Sequence, residues 1–114
     1  MKALAYLILC LAPLAMAGAS EDAPVSGKVT LVYFWAEWCG PCKMVTPALQ
    51  EMASTDADIA LRKIDLTNAT EESYGVKKLP MVKVYNRSGS LVGTVEGANV
   101  GKVKSYVAQA KSGG

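Results

Sequence analysis

The sequence predicts a single α/β domain with the element order βαβαββα and a mixed four-stranded sheet flanked by helices. Three observations predict it: a nearly continuous apolar run at 29–36, helical spacing of apolar residues directly after it, and two short strand patterns joined by a turn at 86–89. A strand, a crossover helix and a second strand imply a parallel pair, whereas the later hairpin adds an antiparallel pair. The 114 residues, 51% hydrophobic and 19% charged, suit one globular domain.

The first strand and the first helix are predicted next to each other. The strand runs from Val29 to Ala36, and its β-branched and aromatic residues are typical of a central strand that is covered on both faces. The helix follows Pro41, a residue suited to a first helical turn, and continues to about Ser54. Its apolar residues recur at helical spacing: Val45, Ala48, Leu49 and Met52. Pro47 lies inside this helix and should bend it, because proline has no N–H to donate.

The remaining elements are shorter. They are a strand at 59–65, a short helix at 68–74 that ends at Gly75, strands at 81–85 and 91–95, and a last helix. In the last helix the apolar residues fall at i, i+3, i+4 and i+7: Val103, Tyr106, Val107 and Ala110.

The N-terminal residues have the pattern of a secretory signal peptide. Lys2 supplies a positive start, an apolar run follows, and small residues then form Ala-x-Ala sites that end at Ala17 or Ala19. The apolar run is short for a membrane span, which needs about 20 residues, although an uncleaved anchor stays open. The predicted organisation is a signal peptide at 1–19, a leader at 20–28 and one domain at 29–112. We therefore expect an exported protein, either periplasmic or otherwise extracytoplasmic, secreted or anchored by its N-terminal segment.

Composition excludes several classes of function. The net charge is only +2 and both signs are mixed along the chain, so no nucleic-acid partner is expected. The chain has no histidine, which removes the usual general base and the commonest nitrogen ligand of zinc. Cleavage of the signal peptide would discard Cys10 and leave two cysteines, too few for a monomer to complete a zinc site.

The remaining cysteines, Cys39 and Cys42, are spaced as CxxC at the junction of the first strand and the first helix. Amide groups at a helix N-terminus favour an anion, so they should lower the pKa of the Cys39 thiol below its ordinary value of about 8.5. Cys42 lies one turn further on, close enough to form a disulfide and less accessible. We therefore predict that Cys39 is the nucleophile and Cys42 the resolving thiol, with no metal or organic cofactor. A purely stabilising disulfide and a zinc site shared by two chains are weaker alternatives.

The stretch from Phe34 to Lys43, FWAEWCGPCK, resembles the active-site signature of the thioredoxin family over ten consecutive positions. Further matches run to about Lys111: Pro47, Leu79, Pro80, Gly89, Gly97 and Ala98. The resemblance implies a thioredoxin fold with sheet order 2-1-3-4, protein-disulfide reductase activity and a substrate groove beside the cysteines. Trp38, Gly40 and Pro41 would form the active-site loop.

The resemblance also implies a cis peptide bond before Pro80. That bond would turn Leu79 outward, so that its backbone can pair with an extended substrate segment. By the same resemblance Leu79, Pro80, Gly97 and Ala98 bind substrate, and Trp38 adds to the open apolar rim.

The sequence departs from the family pattern below the cysteines. Many thioredoxins carry a buried Asp in the central strand with a lysine partner, and here Tyr33 and Leu61 occupy these positions. Tyrosine is a poor base at neutral pH, so Cys42 would lose its proton to water or through Glu37, and we expect Tyr33 simply to pack. Only residues 20–28 precede the first strand, which predicts a four-stranded sheet without the extra N-terminal strand and helix of larger thioredoxins.

The leading interpretation is an exported thiol-disulfide oxidoreductase that reduces protein disulfides and acts as a monomer. No FAD or NADPH motif occurs, so a membrane or soluble thiol reductant would have to supply its electrons. The alternatives are a disulfide oxidase or isomerase, and a non-enzymatic thioredoxin-like binding module or metal carrier.

Overall fold

The computed structural model describes residues 21–69 and 75–113. The elements are β1 (Val29–Trp35), α1 (Cys42–Thr55), β2 (Ile59–Asp65), β3 (Met81–Tyr85), β4 (Leu91–Glu96) and α2 (Val100–Gly113). All four predicted strands are present, with bounds that agree to within one residue. The predicted short helix at 68–74 falls mostly outside the described residues, and the predicted signal peptide falls wholly outside them.

The sheet has the order β2-β1-β3-β4, which confirms the order implied by the family resemblance. Strand β1 pairs parallel with β2, from Val29 opposite Ile59 to Trp35 opposite Asp65. It pairs antiparallel with β3, where Phe34 faces Met81. Because β1 and β3 run in opposite directions, the end of β1 and the start of β3 lie side by side. The loop that carries the cysteines and the segment that contains Pro80 therefore meet at the same end of the sheet.

Strand β1 is buried almost completely, as its run of apolar residues predicts. Its alternate side chains enter two clusters, because successive residues of a strand point to opposite faces. The cluster on the helical face holds residues of β1, α1 and α2 and includes both cysteines: Leu31, Tyr33, Cys39, Cys42, Val45, Leu49, Val103 and Val107. The opposite face buries Val32, Phe34, Ile64, Leu66, Val76 and Met81. The redox pair is thus part of the main hydrophobic core.

Two ion pairs join loops at the end of the sheet remote from the cysteines. Asp58 pairs with Arg87 of the β3–β4 turn, and Asp56 pairs with Lys111 of α2. The hydrogen bond from Arg87 lowers the pKa of Asp58, and the hydrogen bond from Lys111 lowers that of Asp56. Both aspartate side chains are partly exposed to solvent, so these pairs hold the loops together without adding much stability.

Gly93 in β4 lies directly under the ring of Tyr106 from α2. A Cβ atom at this position would lie 2.5 Å from Cζ of that ring, well inside contact distance. We therefore expect Gly93→Ala to force α2 or the ring away from the sheet and to lower the free energy of unfolding by about 1–2 kcal/mol. Urea denaturation monitored by circular dichroism measures the change.

Gly101→Ala is the matched control for this substitution. The added Cβ would lie at an ordinary contact distance of 3.7 Å from Oδ1 of Asn99, and the position lies inside α2. Alanine is favoured over glycine in a helix, so this variant should be as stable as the wild type or more stable by up to about 1 kcal/mol. Equal stability of Gly93→Ala and the wild type would contradict the close packing of Tyr106 on β4.

Candidate active site

The CxxC pair lies where β1 ends and α1 begins. The two sulfur atoms are bonded to each other, and the Cα atoms of Cys39 and Cys42 are 5.4 Å apart. The Cys39 amide donates to the Ala36 carbonyl at 3.1 Å, which holds the loop in a tight turn directly after the strand. The pairing of Cys39 with Cys42, predicted from their spacing, is therefore present.

The first turn of α1 directs an amide group at the Cys39 sulfur. The Cys42 N–H donates to Cys39 Sγ at 3.3 Å, and the residue before α1, Pro41, has no side chain that accepts a hydrogen bond from the first turn. The first amides of a helix have no partner within the helix, so a nearby sulfur can accept from one of them. When the pair is reduced, this amide and the helix dipole favour the thiolate form of Cys39.

The two cysteines differ only slightly in exposure in this disulfide-bonded form. Cys39 is 5% exposed and Cys42 is 1% exposed, so Cys39 is the more accessible of two largely covered residues. Its neighbours in the active-site loop are open to solvent. Gly40 and Pro41 are exposed, and the Trp38 side chain is 59% exposed. A partner protein would therefore meet the Cys39 side of the pair first.

The predicted groove residues gather at the same end of the sheet. The Leu79–Pro80 peptide bond is cis, as the resemblance implied, and Leu79 packs against the cluster that contains both cysteines. The Gly97 amide donates to the Pro80 carbonyl at 2.8 Å, which joins the loop before α2 to the start of β3. Gly97 has a φ of +91°, a conformation that favours glycine. Pro80 is buried and Ala98 is exposed, so the predicted groove has a buried residue at its base and an exposed residue at its rim.

Two threonines support the site, and the sequence analysis did not identify either of them. Thr67, just after β2, accepts a hydrogen bond from the Glu37 amide at 2.9 Å through its hydroxyl and one from Trp38 Nε1 at 3.2 Å through its carbonyl. The parallel pairing of Trp35 with Asp65 brings these loops together. In the sequence, the predicted order of the strands was the only indication of this contact. It places the ends of β1 and β2 side by side without specifying a contact.

The second threonine, Thr46, lies under the disulfide together with Tyr33. Tyr33 is fully buried, and its hydroxyl donates to the Cys42 carbonyl at 3.0 Å. The hydroxyls of Tyr33 and Thr46 are 2.8 Å apart, and the Thr46 hydroxyl also lies 3.0 Å from the Cys42 carbonyl. Burial raises the pKa of the Tyr33 phenol above its ordinary value, so this group is uncharged near neutral pH. Tyr33 packs as expected and, in addition, bonds to the redox pair.

The position of the family's lysine is also apolar in this chain. Leu61 is partly buried and packs against the cluster on the helical face of the sheet. The Asp and Lys of the family pattern are therefore replaced here by a neutral phenol and an aliphatic side chain.

An open pocket of about 330 Å³ lies beside Cys42, on the flank of α1. Its walls come from the end of β1, the first turns of α1 and one residue of β2: Trp35, Ala36, Glu37, Cys42, Lys43, Thr46, Pro47 and Lys63. Lys63 Nζ lies over the Trp35 ring, 4.9 Å from its centroid. Cys42, the less accessible of the two cysteines, therefore lines a pocket that is open to solvent.

Within residues 21–69 and 75–113, no group of three or more carboxylate or cysteine side chains could hold a metal ion. In that same part of the chain, every helix is too short or too polar to cross a membrane.

The sequence matches the family model described as thioredoxin over residues 17–109. A thioredoxin of Streptomyces clavuligerus is 42% identical over 79 residues, which cover 68% of this chain and 73% of that protein. A thioredoxin of Staphylococcus aureus is 40% identical over 82 residues, with 69% of this chain and 78% of that protein covered.

Solved structures of thioredoxins have a similar fold. The thioredoxin of Malassezia sympodialis has a TM-score of 0.62 and 29% identity, and the match covers 75% of this chain and 79% of that one. The short form of spinach chloroplast thioredoxin f has a TM-score of 0.66 and 26% identity, with the same shares of the two chains covered.

Proposed function

We propose that Cys39 attacks the substrate disulfide and that Cys42 resolves the mixed disulfide that forms. The chain belongs to the thioredoxin family and is a thiol-disulfide oxidoreductase that acts on protein disulfides. The observation that carries the proposed roles is the Cys42 N–H directed at Cys39 Sγ. A donor at a helix N-terminus favours negative charge on the sulfur that it contacts. Cys42 is the less exposed of the two cysteines. This suits its attack, from within the protein, on the mixed disulfide that Cys39 has formed with the substrate.

The proposed reaction has two exchange steps. The Cys39 thiolate attacks one sulfur of the substrate disulfide, the substrate S–S bond breaks, and the other substrate sulfur leaves as a thiolate that takes up a proton. Cys42 then loses its proton and attacks Cys39 Sγ, which releases the second substrate sulfur. The substrate gains two electrons and two protons, and the Cys39–Cys42 disulfide of the structure is the oxidised product.

Substrate recognition is assigned to the groove beside the pair. Leu79 precedes the cis bond and is only partly buried, so its backbone is available to an extended segment of the substrate. Trp38 and Ala98 supply exposed apolar surface on either side, and Gly97 adds no side chain that would obstruct approach. Recognition through backbone groups suits an enzyme that accepts many protein disulfides.

We assign proton release from Cys42 to water in the adjacent pocket. Glu37 is the carboxylate in the pocket wall and is exposed, so a proton can pass through it to solvent. The exchange chemistry proceeds with the two sulfurs and water, so we propose that the enzyme works without an organic cofactor or metal.

The cellular setting is inferred from the sequence. The signal-peptide pattern at 1–19 supports an exported enzyme, released or kept at the membrane by that segment. Reduction in an oxidising compartment requires a steady supply of electrons, and the absence of FAD and NADPH motifs points to a separate thiol reductant as the donor. We also propose a monomer, since the two cysteines of one chain suffice for both exchange steps.

The reduction potential of the Cys39–Cys42 pair tests the direction of the reaction. We expect a value close to that of thioredoxin, about −270 mV, measured by equilibration with glutathione or dithiothreitol buffers. The purified reduced protein should also precipitate insulin by cleaving its disulfides. A potential near −120 mV, typical of a strong oxidant, would show that the protein is an oxidase instead.

A further inference from the structure

Tyr33 joins the central strand to the first residue of α1. Its hydroxyl reaches the Cys42 carbonyl at 3.0 Å and the Thr46 hydroxyl at 2.8 Å, and the Tyr33 side chain is fully buried. The bond between Thr46 and the Cys42 carbonyl lies within α1, so it cannot attach the helix to the sheet. Tyr33 makes that attachment from β1.

Cys42 is therefore held by hydrogen bonds on both sides of its Cα atom. On one side its amide donates to Cys39 Sγ at 3.3 Å, and on the other its carbonyl accepts from Tyr33. The backbone torsions of Cys42 set the direction of that amide. A bond that fixes the carbonyl also restricts where the amide points.

We propose that Tyr33, assisted by Thr46, is a positioning residue for the redox pair: the two hydroxyls hold the Cys42 carbonyl and so keep the Cys42 amide directed at the Cys39 sulfur. This inference rests on the proposed role of Cys39 as the nucleophile. The Tyr33 hydroxyl bonds to the Cys42 carbonyl and to Thr46, so Tyr33 acts through Cys42.

The composition of α1 explains why its first turn needs this support. Pro47 has no N–H, so the Lys43 carbonyl, four residues earlier, lacks its usual helical partner. The N-cap residue, Pro41, makes no side-chain hydrogen bond to the first turn. Helix ends with few internal bonds fray, and a fraying first turn would move the amide away from Cys39.

A neutral hydroxyl holds this position at every pH at which the enzyme works. Burial keeps the Tyr33 phenol protonated, whereas a carboxylate could change charge next to Cys42. The charged groups that face Cys42 across the pocket are Glu37 before α1, Lys43 of α1 and Lys63 of β2, and none of them is altered by substitution of Tyr33 or Thr46.

The test is the pH dependence of Cys39 alkylation in the reduced full chain and in Tyr33→Phe, with mass spectrometry to identify the modified cysteine. Phenylalanine fills the same space and removes only the hydroxyl. We expect the apparent pKa of Cys39 to rise, with alkylation at neutral pH slowed about threefold to tenfold, since one pKa unit is a tenfold change in the thiolate fraction.

Two further variants separate positioning from a general loss of structure. Thr46→Val removes the second hydroxyl with little change in volume and should shift the profile in the same direction, whether or not Tyr33→Phe folds. The double variant should shift it by less than the sum of the single effects, because both hydroxyls hold one carbonyl. Tyr85→Phe removes a tyrosine hydroxyl from the far end of the sheet, where Tyr85 pairs with Thr30, and should match the wild type.

The outcomes distinguish this inference from the proposed function. If Cys39 has a low pKa in the wild type, and its alkylation profile is unchanged in folded Tyr33→Phe and Thr46→Val, the positioning role alone is overturned. An ordinary thiol pKa for Cys39 in the wild type overturns the role of Cys39 as the activated nucleophile, and the positioning role with it.

Discussion

Cys39→Ser is expected to abolish disulfide reduction, with a loss of at least about 1,000-fold in the rate of insulin cleavage. A serine hydroxyl does not ionise near neutral pH, so the amide of Cys42 and the dipole of α1 would have no thiolate to stabilise. We do not expect Cys42 to take over the attack, because it is the less exposed of the two cysteines and the first amide of α1 is directed at Cys39. The turbidity of insulin in the presence of dithiothreitol measures the loss.

Cys10→Ser is the matched control for this prediction. It makes the same chemical change at the one cysteine outside the CxxC pair. The control should retain wild-type activity. Substantial insulin reduction by Cys39→Ser would show that Cys42 is the attacking thiol and that the assigned roles are reversed.

Cys42→Ser is expected to trap substrates covalently. Cys39 keeps its position in the loop between β1 and α1, so the first exchange step still occurs. The second step fails because no neighbouring thiol remains to attack Cys39 Sγ. A stoichiometric mixed disulfide with a model substrate should accumulate, withstand electrophoresis without reductant and disappear on addition of dithiothreitol.

The double variant Cys39→Ser, Cys42→Ser is the control for trapping. It should form no adduct under the same conditions. If Cys39→Ser traps substrate as efficiently as Cys42→Ser does, either sulfur can attack and the order of the two steps is wrong. The proteins captured by Cys42→Ser would also define the substrates of the enzyme.

Local sequence patterns predicted most of the fold. The apolar run of β1, the alternation in β2 and the turn between β3 and β4 each depend on neighbouring residues, so their bounds agree with the structure to within one residue. The order of the strands and the cis bond at Pro80 depend on contacts between distant segments. These features were implied only by the family resemblance and are present in the structure.

The hydrogen bonds around the redox pair could not be predicted in the same way. The contact of Thr67 with Trp38 requires the parallel register of β1 and β2, and that of Tyr33 with Cys42 requires the position of α1 on the sheet. The expectation that Tyr33 packs in the core was confirmed, since it is fully buried. Its bond to the Cys42 carbonyl depends on the position of its hydroxyl relative to α1, which the sequence does not predict.

The proposed mechanism depends on ionisation of the Cys39 thiol near neutral pH. The most direct measurement is the rate of iodoacetamide alkylation of the fully reduced wild-type protein from acidic to alkaline pH, with each cysteine quantified separately. The account predicts that Cys39 reacts first, with an apparent pKa clearly below the ordinary value of about 8.5, while Cys42 is protected. Equal reactivity of the two cysteines, with Cys39 titrating as an ordinary thiol, would contradict it.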